Sequence, residues 1–206
     1  MEIIGRKIEK EILEGLKHEK TSQFLAVYGR RRVGKTYLIR NYYKNEILFE
    51  CAGLNDAPLK SQLENFKINL QPLTKIPLTP FQSWLEAFDA LANIIKKRKK
   101  KRTNNKLVLF FDEISWFDTP RSNFKSALSN FWNNFCTKQS NIILVICGSA
   151  SSWILKHIIN DKGGLHNRLN RVIQLNAFSL GETRTYLQNR KIKLSNYDYI
   201  RIYMCI

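Results

Sequence analysis

Residues 29–36 read Gly29-Arg30-Arg31-Arg32-Val33-Gly34-Lys35-Thr36, and every fixed position of the G-x-x-x-x-G-K-[ST] pattern is met. The pattern encodes a chemical device. Glycines let the backbone curl until successive N–H groups point at phosphate oxygens, the lysine reaches the β- and γ-phosphates, and the final hydroxyl ligates Mg²⁺. The nucleotide cradle is therefore assigned to Gly29, Arg32, Val33, Gly34, Lys35, Thr36 and Tyr37, with Thr36 also a metal ligand. By residue frequencies such a pattern arises by accident in roughly one chain per hundred, so its setting decides. An apolar run, Phe24-Leu25-Ala26-Val27-Tyr28, precedes it, and Tyr37-Leu38-Ile39-Arg40-Asn41-Tyr42-Tyr43 can continue as a helix. Strand, loop and helix follow in the order the device needs. The competing reading is a glycine turn between two buried elements.

Outward from this loop, periodicity predicts an alternation of helices and strands. Helices are expected over 6–18, 35–44, 57–69, 81–96 and 121–137, with a short one from 151 and a polar, helix-favouring stretch from 179. Strands are expected over 23–28, 46–51, 107–111, 141–147 and 171–175. Pro72, Pro77 and Pro80 make 71–80 a connection. In 121–137, Phe124, Leu128, Phe131, Trp132 and Phe135 repeat at helical spacing, and these aromatics read as core rather than as a base-stacking platform. Such alternation predicts an α/β fold, a parallel sheet covered by helices on both faces.

A phosphate loop needs a carboxylate partner. Leu107-Val108-Leu109-Phe110-Phe111-Asp112-Glu113 supplies two acids at the end of an apolar strand, the edge where open α/β sheets bind ligands. Asp112 is the expected second metal residue, acting mainly through the water shell of Mg²⁺. Glu113 is the expected group that orients and polarises the attacking water. Strand four ends in Cys147-Gly148-Ser149, where Ser149 could touch the γ-phosphate or the water, or instead cap a helix. Farther on, Gly163-Gly164-Leu165-His166-Asn167-Arg168 ends in an arginine able to neutralise γ-phosphate charge within the chain or across a subunit boundary; Arg171 is the second choice.

Hydrophobic residues make up 44% of the 206 and aromatic residues 12%, the composition of a folded globular chain. No apolar run approaches the roughly 18–20 residues that span a bilayer, and Met1-Glu2-Ile3-Ile4-Gly5-Arg6-Lys7 lacks the apolar centre of a secretory signal, so a cytoplasmic location without membrane contact is expected. Cys51, Cys136, Cys147 and Cys205 and the three histidines are too scattered for a metal-ligand spacing. Lys+Arg number 34 against 17 Asp+Glu, a formal net charge of +17. That excess attracts polyanions, nucleic acid foremost, or reflects a lysine-rich proteome or an acidic partner segment outside this chain. The run Lys96-Lys97-Arg98-Lys99-Lys100-Lys101-Arg102 either grips phosphates or is a solvated helix end; the second reading is preferred, because no aromatic or polar motif flanks it.

Taken together, Ile4-Gly5-Arg6 with Glu9, Gly29–Thr36, Phe111-Asp112-Glu113, Trp116, Asp118-Thr119-Pro120, Phe131-Trp132, Cys147-Gly148-Ser149-Ala150, Ser152-Trp153, Gly163–Arg168 and Ala177-Phe178-Ser179-Leu180 resemble the AAA+ superfamily. Within it the chain is most similar to the prokaryotic archaeal-type ATPases allied to the STAND group. The resemblance implies a P-loop NTPase with a five-stranded sheet in the order 5-1-4-3-2, Mg²⁺-dependent ATP hydrolysis, and adenine contact near Ile3 and Ile4. It further implies a sensor role for Ser149 and a finger or sensor role for Arg168. Similar proteins run to about twice this length. The chain is thus expected to comprise an ATPase core over 1–177 and the opening of an incomplete helical lid over 178–206.

The leading expectation is an ATPase in which Gly34, Lys35, Thr36 and Asp112 hold ATP·Mg²⁺ and Glu113 activates water; a homo-oligomer is allowed by the position of Arg168. Two alternatives stand beside it: a non-hydrolysing nucleotide-binding switch and a basic nucleic-acid-binding module.

Overall fold

The computed structural model describes residues 3–99, 106–149, 151–160, 163–165 and 167–205, with the side chains of 99, 151 and 152 outside the description. Lys100–Arg102 of the cationic run, Ala150 and His166 therefore lie outside the described residues.

Five strands form one all-parallel sheet: β1 (Gln23–Tyr28), β2 (Ile47–Ala52), β3 (Leu107–Asp112), β4 (Ile142–Gly148) and β5 (Arg171–Gln174). Their order is β2-β3-β4-β1-β5, the expected 5-1-4-3-2 read from the other side. β1 pairs with β4 from Gln23↔Ile143 to Tyr28↔Gly148 and with β5 from Leu25↔Arg171 to Tyr28↔Gln174. The loop after β1 and the residues after β4 therefore leave the sheet side by side.

Alternation along each central strand feeds two cores. Phe24 and Ala26, Leu109 and Phe111, and Leu144 and Ile146 face one layer; Leu25 and Val27, Val108 and Phe110, and Val145 and Cys147 face the other. This is the two-residue period of a pleated strand buried on both sides, which reads as a continuous apolar run. The second layer is built by α1 (Lys7–His18) and α2 (Lys35–Tyr42), through Leu13, Leu16, Leu38 and Ile39. The first layer, larger and more aromatic, is built by α3 (Leu59–Leu70), α4 (Trp84–Lys99), α5 (Phe124–Asn134) and α6 (Ser151–Ile154), which continues as a π turn over Leu155–Ile159. There Phe66 lies within ring contact of Phe49, Phe81, Trp84, Phe88 and Phe111. Phe124, Phe131, Trp132 and Phe135 are buried in the same layer, as core-forming aromatics should be.

Helix boundaries differ from the periodic expectation where backbone geometry intervenes. Arg6 adopts φ 55°, so α1 opens at Lys7 rather than at residue 6. Arg121 and Asn123 are also left-handed, which delays α5 to Phe124. The 121–137 expectation shortens further at its end, where a 3₁₀ turn takes over Cys136–Lys138. α4 runs on to Lys99, into the cationic run, so Lys96, Lys97 and Arg98 extend a helix; Lys96 Nζ lies 5.6 Å from the Phe135 ring centre. After β5, α7 (Leu180–Asn189) and α8 (Asn196–Met204) each open with a capping box, Ser179 with Glu182 and Ser195 with Asp198. No helix among the described residues is long and apolar enough to cross a membrane.

Candidate nucleotide site

β1 ends at Tyr28, and the chain turns at Gly29 with φ +153°. A Cβ built there would stand 2.1 Å from the Leu175 carbonyl oxygen, so only glycine lets the loop lie against the end of β5. Arg32 is left-handed at φ 68° and Gly34 at φ 93°, after which α2 begins at Lys35. The Lys35 side chain is buried, and its ammonium donates to the Gly29 and Arg30 carbonyls at 2.9 Å each. The loop is thereby closed around its own cation and leads directly into the amino terminus of α2, the end of a helix that attracts anions.

The acidic half arrives on β3. Thr36 Oγ1 donates to Asp112 Oδ2 at 2.6 Å, and the Glu113 N–H donates to Asp112 Oδ1 at 2.9 Å. Glu113 turns at φ 45°, a left-handed conformation that non-glycine residues adopt at a cost of order 1–3 kcal/mol and that clusters at functional sites. Its carboxylate reaches across to the end of β4: Glu113 Oε2 accepts from the Ser149 N–H at 3.1 Å and from Ser149 Oγ at 2.9 Å. The Ser149 hydroxyl thus engages the Glu113 carboxylate. Beneath lies Cys147, whose thiol is held well above its usual pKa by burial first and by the nearby Asp112 charge second.

The amino-terminal segment is locked onto the loop. Arg6 is buried, donates through Nη2 to Val33 O at 3.1 Å and Asn176 O at 2.7 Å, and stacks 4.5 Å from the Phe178 ring centre. Its backbone N–H donates to Glu182 Oε1 on α7 at 2.9 Å. Ile3 packs on the same core as Val33. Tyr37, one residue beyond Thr36, is 44% exposed.

Two residues of the site carry no motif and escape a sequence reading. A Cβ on Gly53 would stand 2.8 Å from Trp116 Cβ and 2.9 Å from Glu113 O, so this glycine admits the acidic turn. Gln62 is fully buried and donates to Leu54 O at 2.6 Å and Trp116 O at 3.0 Å while accepting from Leu54 N–H. It ties the turn after β3 to the loop after β2. The available signal was weak: a glycine directly after a strand, and a polar residue on an apolar helix stripe.

Arg168 is not brought to this cluster. Asn170, two residues on, pairs with Phe24 at the start of β1, through Asn170 Oδ1 at 2.8 Å and Asn170 N–H at 2.9 Å. Five strand residues, about 16 Å at the usual rise, separate that level from the phosphate loop. Arg171 lies on the same lower half, paired opposite Leu25.

A parallel five-stranded sheet with a glycine-framed loop, a buried lysine and a hydroxyl–carboxylate pair at the strand ends defines a P-loop ATPase. The chain belongs to the family described as ATPase domain predominantly from Archaea, which matches residues 4–205. It is 44% identical over 43 residues, 21% of this chain and 73% of the relative, to the uncharacterized ATP-binding protein MJ0423 of Methanocaldococcus jannaschii. Among solved structures it is similar to the Walker-type ATPase paby2304 of Pyrococcus abyssi, with TM-score 0.65, 16% identity and 96% of this chain covered. It is also similar to the ORC2 protein of Aeropyrum pernix in ADPNP–ADP complexes, with TM-score 0.66, 18% identity and 95% coverage. At these identities the likeness is one of fold. The chain spans 61% of the first structure and 54% of the second.

Proposed function

We propose that this domain is an AAA+-type ATPase that binds ATP with Mg²⁺ and hydrolyses it, with residues 1–177 as the core and 178–206 as the opening of a helical lid. The observation that carries the reading is the convergence of Lys35, Thr36, Asp112, Glu113 and Ser149 at one end of the sheet. The Gly29–Gly34 backbone cradles the phosphates, and Lys35 exchanges its carbonyl partners for β- and γ-oxygens. Residues 3 and 4 flank the adenine.

Thr36 and Asp112 suit Mg²⁺: a hydroxyl and a carboxylate are hard oxygen donors, and one carboxylate leaves positions for water and phosphate, as this ion prefers. Bound there, the ion would neutralise charge on the β- and γ-oxygens. Glu113 takes the water's proton or orients the water along the line of attack, while Ser149 holds the carboxylate in place. Arg168, at the far end of the strands, serves a neighbouring copy's site in a homo-oligomer.

Phosphate release from the purified chain, set beside Lys35→Ala and Glu113→Gln, tests the proposal. Nucleotide binding without release in the parent chain would reduce it to a binding switch. Nucleic acid as a partner is the second reading, favoured by the +17 charge alone; affinity for DNA indifferent to salt and to neutralising Lys96–Arg98 removes it.

A further inference from the structure

We propose that Arg31, in the phosphate loop itself, is a catalytic residue of this site: its guanidinium contacts the γ-phosphate within the same chain and stabilises the charge that develops during transfer. The inference rests on the ATPase reading above and adds a residue to it.

Three observations converge on Arg31. Its backbone is held, because Gly29 is pinned under the Leu175 carbonyl and the Gly29 and Arg30 carbonyls are bound by the Lys35 ammonium. Its side chain is aimed: Arg31 Nε lies 3.5 Å from Ser149 Oγ, crossing from the loop after β1 to the end of β4. Ser149 Oγ in turn donates to Glu113 Oε2 at 2.9 Å. A hydroxyl can donate once and accept at its lone pairs, so guanidinium, hydroxyl and carboxylate form one chain of charge and hydrogen bonds. The cation therefore sits beside the carboxylate proposed to handle the water, one hydroxyl away from it.

That placement assigns a role to a charge the loop pattern does not require. Position 31 is one of four unspecified residues in the pattern, yet here it carries an always-ionised fork able to bind two oxygens at once. Arg168 lies at the other end of the strands, so within one chain the finger's task falls to the loop. In the reaction the water oxygen bonds to the γ-phosphorus as the bond from phosphorus to the β,γ-bridging oxygen breaks. The electron pair leaves with ADP, and the water's proton passes to Glu113 and on to solvent. Arg31 leaves Ser149 for a γ-oxygen when ATP arrives, and ADP offers it nothing.

The full chain and the Arg31→Ala and Arg31→Lys variants are compared for phosphate release under single turnover and for ATP and ADP affinity. Arg31→Ala is expected to lose about 10³-fold in rate and the chain's preference for ATP over ADP. Its ADP affinity, which also reports an intact loop, stays within about twofold, since loss of a contact made only to the γ-phosphate leaves ADP binding untouched. Arg31→Lys recovers part of the loss. Mixing Arg31→Ala with Lys35→Ala is expected not to restore turnover, because the residue acts in its own chain. Wild-type rate and an unchanged ATP:ADP ratio in Arg31→Ala overturn the inference, as does rescue by mixing. If the parent chain binds ATP but releases no phosphate, the ATPase reading fails while the affinity ratio still decides Arg31. If it binds neither nucleotide, both fall.

Discussion

The Thr36 hydroxyl and the Asp112 carboxylate meet at 2.6 Å, joining the first turn of α2 to the last residue of β3. The two residues are held by different elements of one rigid sheet edge, so the pair is set before any ligand arrives. Replacing Asp112 by Asn keeps a hydrogen-bond partner for Thr36 and removes the charge. Affinity for ATP with Mg²⁺ should fall about tenfold or more, the scale of losing one charge-assisted contact, while affinity for ADP in chelator stays level. Calorimetric titration with and without metal checks this; equal losses in both conditions would mean that Asp112 is structural.

Glu113→Gln retains shape and most hydrogen bonding but cannot accept a proton. Turnover is expected to drop by about 10²–10⁴-fold, the range for removing a general base, with ATP affinity preserved. Trapped ATP recovered from the variant after rapid filtration is the readout. A variant that hydrolyses at the parent rate would place the base elsewhere.

Gly53→Ala inserts a methyl where 2.8 Å and 2.9 Å already separate it from Trp116 Cβ and Glu113 O. Overpacking of this kind costs about 1–3 kcal/mol, and here the strain falls on the turn that carries Glu113, the carboxylate proposed to handle the water. Both the melting temperature and turnover should fall although the residue touches no nucleotide. An unchanged melting temperature would show that the turn yields freely.

Much of this was legible in the amino-acid order. Strand positions could be read because β1, β3 and β4 are buried on both faces and so appear as unbroken apolar runs. The phosphate loop and the acidic pair were legible because their chemistry demands particular residues. The helix starts just after the left-handed Arg6 and Asn123 were not, since such residues other than glycine leave no compositional trace. Gln62 was hidden for a related reason: its four polar contacts link loops that are adjacent only after β2 and β3 pair. The position of Arg168 relative to the loop needed the strand register, which no local pattern encodes.

Thiol chemistry offers an independent check of burial. Cys51, Cys136 and Cys147 are buried and Cys205 is exposed. Burial, with the Glu50 charge behind it, pushes Cys51 up to about 12, and burial holds Cys136 well above the ordinary thiol range. Since the thiolate is the reactive form, a maleimide at neutral pH should label one cysteine quickly and the other three only on unfolding. Fast labelling of two or more would contradict the packing around β2, β4 or the turn after α5.

Acidification should loosen α7 from the amino-terminal segment. Burial raises the Glu182 carboxyl, but hydrogen bonds from Ser179 and the Arg6 N–H outweigh it and leave the pKa below the usual carboxylate value. A carboxyl depressed in the fold contributes stability above its unfolded pKa and loses it as pH falls through the folded one. Proteolytic cleavage within 180–204 should therefore rise below the ordinary carboxylate range in the parent chain, and Glu182→Gln should flatten that rise. A pH profile identical in both would remove Glu182 from the joint.

Gly29 lies beneath the carbonyl of Leu175, and that contact sets a schedule for synthesis. The ribosome makes the phosphate loop early, yet the strand that shapes it emerges nearly the whole domain later. At the usual 5–20 residues per second the delay is on the order of ten seconds. During that interval the nascent chain carries the full motif without the Leu175 carbonyl against which Gly29 rests, so the loop reaches its final packing only when β5 has docked.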